Sequence, residues 1–149
     1  MTPRALRPLW TCPKCGNTFV SRNIYHACGH YRLADHFDGK PLIVRQTFDA
    51  WLEAARACGL VRVTTQKTRI VLQVRVRFAG AIIRSRTVDA HIWLTRKASH
   101  PALLRIETPA PNAHVHRFRL ARPEDVDDAL RAPVREAYSV GRQEHLKRT

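Results

Sequence analysis

Three cysteines and one histidine near the N-terminus have the types and spacing to hold a metal ion. In the run WTCPKCGNTFVSRNIYHACGHY, Cys12 and Cys15 are spaced C-x-x-C ahead of Gly16, and His26 and Cys28 are spaced H-x-C ahead of Gly29. Two thiolates at the first spacing reach one ion while a tight turn aims backbone N–H groups at the sulfurs, and the glycine permits that turn. Between Cys15 and His26 the chain has room for a small hairpin through Phe19 and Val20. Four nitrogen and sulfur ligands complete a tetrahedral Zn2+ and leave no position for water, so one structural zinc per chain is expected. His30 is the alternative to His26 as the fourth ligand. A redox C-x-x-C would want a βαβ context that this segment lacks.

The second group with chemical potential is basic. The formal net charge is +14 and the isoelectric point about 11.0. Residues 60–122 hold 13 Lys or Arg against 2 acids, so nearly all the excess sits in that segment. Within it, Lys67, Arg69, Arg75 and Arg77 recur at alternate or near-alternate positions, and Arg84 and Arg86 repeat the pattern further on. On neighbouring strands these six make a guanidinium-lined sheet face suited to phosphates. A localised positive field attracts polyanions, so nucleic acid, DNA or RNA, is the expected partner. Two other readings stand beside it: a domain for a small ligand or a protein partner, in which the knuckle only braces the fold, and a solvated arginine-rich surface. A deep apolar pocket with convergent polar groups would favour the small-ligand reading.

Other constellations are weaker. His114 and His116, at i and i+2, share a strand face but lack a third ligand nearby. Asp89, His91 and Trp93 also share a face. There is no Gly-rich phosphate loop, no G-x-S-x-G and no H-E-x-x-H, and residues 60–122 offer only Asp89 and Glu107 as acids, so catalysis is not expected.

The elements that must position these groups follow from periodicity. Pro41 suits the first position of a helix, and Val44, Phe48, Trp51, Leu52 and Ala55 recur at helical spacing up to Cys58 and Gly59. Cys58 lies on that apolar stripe and reads as a small core residue. From Leu60 the period becomes 2. Ile70, Leu72, Val74, Val76 and Phe78 point one way along a strand and Arg69, Val71, Gln73, Arg75 and Arg77 the other, with Ala79-Gly80-Ala81 as a tight turn. Further strands are expected over 82–86, 88–95, 61–65, 104–107 and 115–120. A last helix follows Pro123, acid-rich at its start as the helix dipole favours, kinked or split at Pro133 and ended by Gly141. The fold class is α+β: an N-terminal zinc knuckle (1–38), an α–antiparallel β-meander–α domain (39–141) and a flexible tail (142–149).

In order along the chain, WTCPKCG, H-x-CG, DHF-x-GK-P, K-T-R-I with an alternating strand, R-PED-x-D and AY-x-x-G together resemble the DUF5655 family, a bacterial domain of unknown function. The resemblance runs from Leu9 to Gly141, through Cys12, Cys15, His26, Cys28, Lys67, Arg69, Asp125 and Tyr138. It implies an α–β-meander–α domain and no established activity. No stretch approaches the roughly 20 apolar residues that span a bilayer, and the first residues lack an apolar secretory core, so a cytoplasmic protein with reduced thiols is expected.

Overall fold

A six-stranded antiparallel sheet carries both long helices on one of its faces, in a computed structural model that describes residues 6, 8–14, 16, 18–20, 22 and 31–146. A short hairpin, β1 (Trp10–Thr11) and β2 (Thr18–Phe19), precedes it. Helix α1 (Leu42–Arg56) starts on Pro41, whose φ of −57° is already helical, and buries Val44, Phe48, Trp51, Leu52 and Ala55. The Trp51 indole N–H donates to the Gly80 carbonyl at 3.1 Å, fixing α1 against the centre of the sheet.

The large sheet comprises β3 (Arg62–Thr65), β4 (Ile70–Gln73), β5 (Arg77–Ile83), β6 (Val88–Leu94), β7 (Leu103–Ala110) and β8 (Ala113–Leu120). Their order is β3-β4-β5-β6-β8-β7. The first four form the expected meander. The last two do not: β8 pairs with β6, and β7 lies outside it as the edge strand.

Helix α2 (Asp128–Gly141) is capped by the Asp127 carboxylate, which accepts from the Leu130 N–H at 2.9 Å. It continues unbroken through Pro133, so the split that was one of the two expectations there does not occur. A proline in the second turn removes one ladder bond, and the ring is buried against the core, so packing outweighs that loss. The described helices include none long and apolar enough to cross a membrane.

Ile70, Leu72, Phe78, Ile92, Leu94, Phe118 and Leu120 are buried with both helices in one cluster, as their alternation requires. Truncating one such side chain to alanine costs roughly 2–5 kcal/mol. The expected continuous strand 69–78 is broken, however, and Val74 and Val76 are only half-buried. The chain turns at Val74–Val76, closed by Val74 N–H to the Val76 carbonyl at 3.2 Å, and Val76 N–H donates to the Gly141 carbonyl at 2.9 Å. These valines pack at the end of α2, so apolar alternation carries on through a turn. Ala79-Gly80-Ala81 is correspondingly the middle of β5, with both alanines buried.

Candidate anion-binding site

Strand parity sends alternate residues to the sheet face that the helices leave open. Val71, Gly80, His91 and Arg117 form one row of ladder partners across β4, β5, β6 and β8. His91 and Arg117 of this row, with Arg69, Arg77, Trp93 and Glu107, line a cleft of about 500 Å³. Its guanidinium groups come from three separate parts of the sheet: the start of β4, the start of β5 and the middle of β8.

The electrostatics of the cleft are lopsided. Burial lowers the Arg69 pKa, and the positive charge of Arg117 lowers it further against a weaker opposite effect of Glu107. Burial likewise lowers that of Arg77, with Arg69 adding to the effect. Glu107 accepts a hydrogen bond from Arg117, which holds its carboxyl below the usual range. Among the described residues Glu107 is the only acid lining the cleft, against three arginines. The His91 ring at the floor is 5% exposed, and its Nδ1 has no hydrogen-bond partner among the described residues. Burial, then the fields of Arg69, Arg117 and Arg77, pushes its pKa down to about 3, so the imidazole is neutral near pH 7.

The N-terminal hairpin reaches one end of this face. The Gln73 amide donates to Thr18 Oγ1 at 2.7 Å and to the Thr18 carbonyl at 3.1 Å. The Arg77 guanidinium lies 5.3 Å from the Phe19 ring centroid. Phe19, Arg77 and Trp93 together line a second, smaller recess in the same region of the surface.

Of the six basic residues expected on the face, the structure brings two into the cleft, Arg69 and Arg77. Arg75 sits in the β4–β5 turn and donates to Gln143 Oε1 at 2.8 Å, beside the end of α2, because that turn interrupts the strand on which it was to alternate. Arg84 donates to Asp89 at 2.9 Å. Lys67 and Arg86 are exposed in the β3–β4 and β5–β6 turns. Asp89 also accepts two hydrogen bonds from Arg119; burial opposes its ionisation, but the bonds from Arg119 and Arg84 win and hold the carboxyl below its usual range. Asp89, which shares a strand face with His91, is therefore engaged with Arg84 and Arg119.

Arg117 was not among the expected residues. Only the placement of β8 next to β6 sets it opposite His91, and that pairing leaves no local trace in the sequence. His114 and His116 face the helices instead. His116 Nε2 accepts from Ala98 N–H at 2.8 Å and Nδ1 bonds the His114 carbonyl at 3.0 Å, so both its nitrogens are engaged in structure.

Of the expected zinc ligands, Cys12 is buried at the head of a turn in which Gly16 N–H donates to the Cys12 carbonyl at 2.8 Å. Gly16 has φ 74°, a left-handed conformation that favours glycine. Cys15, His26 and Cys28, and the alternative His30, lie outside the described residues. Among the described residues no cluster of three or more potential ligands occurs.

A family profile described as "Domain of unknown function (DUF5655)" matches residues 33–141. No curated protein and no solved structure matches the chain.

Proposed function

The chain belongs to the DUF5655 family, whose description assigns no activity, and from its own side chains we propose that it binds nucleic acid through phosphate contacts on the open sheet face. The observation that carries this reading is the convergence of Arg69, Arg77 and Arg117 on one cleft with a single acid among its lining residues. Guanidinium groups present paired donors to phosphate oxygens and keep their charge at any working pH. Arg62 and Arg105 extend the basic face along the ladder, as partners of Gln73 and Arg117. One zinc ion, held by Cys12, Cys15, His26 and Cys28, orders the hairpin whose Thr18 and Phe19 meet Gln73 and Arg77. Its role in this reading is structural.

A second reading, a small-anion site, draws support from the cleft itself. A volume near 500 Å³ with Val71, Trp93 and Val115 among its walls falls within the roughly 300–1,000 Å³ typical of ligand pockets. Anisotropy titrations of a labelled oligonucleotide between 50 and about 300 mM salt separate the two. Polymer binding that weakens steeply with salt supports the first reading. Absence of polymer binding at micromolar protein and low salt removes it.

A further inference from the structure

We infer that the cleft is a subsite for one unpaired nucleotide, its phosphate held by Arg69, Arg77 and Arg117, its base against Trp93, and a neutral polar group of the nucleotide bonded to His91. This rests on the nucleic-acid reading and narrows it to single strands.

Width argues first against a duplex. Six strands about 4.8 Å apart span roughly 24 Å, twice the ~12 Å of the major groove of B-DNA. The open face therefore cannot enter a groove, and a duplex presents only its phosphate rim, with every base stacked inside. A single strand can place a base in the cleft. Basic side chains that track the backbone, interleaved with an aromatic ring for the base, are what single-strand binding requires. Trp93 is half-buried between the cleft and the Phe19 end of the face, and so combines a fixed position with an available surface.

His91 supplies the independent observation. A buried ring nitrogen without a partner is uncommon, because losing water without gaining a hydrogen bond is unfavourable. The three arginines that flank it suit an anion, but a neutral imidazole does not demand one. A ring shift that opens the unpartnered nitrogen to the cleft that His91 lines would give it a hydroxyl or a base edge as partner, close to the phosphate. A cleft with cationic rim, aromatic wall and neutral polar floor matches the parts of a nucleotide better than it matches bare phosphate.

The test compares the full-length protein with Trp93→Ala and Trp93→Phe, after confirming equal thermal unfolding. Labelled oligothymidine of 12 nucleotides and a 12-base-pair duplex are titrated at one salt concentration, and thymidine 5′-monophosphate and inorganic phosphate are used as competitors. The expected result is a single-strand preference of about 10-fold or more, lost in Trp93→Ala and regained in Trp93→Phe, with the mononucleotide outcompeting phosphate. Equal binding of duplex and single strand, unchanged by Trp93→Ala, overturns the subsite while leaving the nucleic-acid reading in place. Binding of the mononucleotide alone, dependent on Trp93, supports the cleft as a nucleotide site and overturns the polymer reading. Binding of none of the probes overturns both.

Discussion

Gly80 and His91 face each other across the β5–β6 ladder, and the imidazole occupies the space that a side chain at Gly80 would fill. A Cβ built on Gly80 would lie 2.7 Å from His91 Cε1 and 2.8 Å from Nε2, and would also press on the Ile70 carbonyl. Glycine inside a strand commonly marks such a close approach. Here it lets a buried ring form the floor of the cleft.

Gly80→Ala is expected to destabilise the fold by about 1–3 kcal/mol or more, since neither the ring nor the backbone oxygen can yield freely. Urea unfolding of Gly80→Ala, His91→Ala and the double variant checks this. The double variant should lose less than the sum of the two singles, because His91→Ala relieves part of the overlap. Strict additivity would show that the two residues do not contend for the same space.

The buried imidazole also sets a pH dependence. His91 titrates near 3 in the folded protein and near 6.5 unfolded. Between those values the unfolded chain binds the extra proton, so stability is fully present above about pH 6.5 and falls as the pH drops toward 3. The contribution is on the order of 5 kcal/mol over the full window. His36 and His116, also lowered chiefly by burial, act in the same direction. His91→Gln should flatten the loss of stability between pH 6.5 and 4 in urea titrations, and an unchanged slope would show that His91 is not buried as a neutral ring.

Zinc is expected at one equivalent per chain by metal analysis of protein purified without added metal. Structural zinc in small modules is worth roughly 10–16 kcal/mol of apparent binding free energy. Cys12→Ala should therefore lose the metal and release the contacts of Thr18 and Phe19 with Gln73 and Arg77, while the large sheet stays folded. Full zinc content in Cys12→Ala would exclude that cysteine as a ligand.

Local periodicity made much of this architecture legible. Val44, Phe48, Trp51 and Leu52 marked α1, and the alternation of Ile70, Leu72, Ile92 and Phe118 marked the face that meets the helices. Two features escaped because they are not local. Val74 and Val76 sustain the alternation through a turn, since they pack beside Gly141 at the end of α2. The order β6-β8-β7 is a long-range pairing, and the position of Arg117 in the cleft depends on it. The arginine-rich composition pointed to a basic face; which arginines converge was set by one turn and one strand exchange.

The salt dependence of single-strand binding by wild type and by Arg69→Ala/Arg77→Ala/Arg117→Ala tests the phosphate-binding claim most directly. Each neutralised phosphate contributes about −0.7 to the log–log slope on a single strand. Three arginines in contact therefore give the wild type a slope of roughly −2 or steeper, and the triple variant should lose about 2 from it along with most of its affinity. Arg75→Ala, in a residue directed to Gln143 and away from the cleft, should leave the slope where it was. A triple variant that binds with the wild-type slope would contradict the account and place the phosphate contacts elsewhere on the molecule.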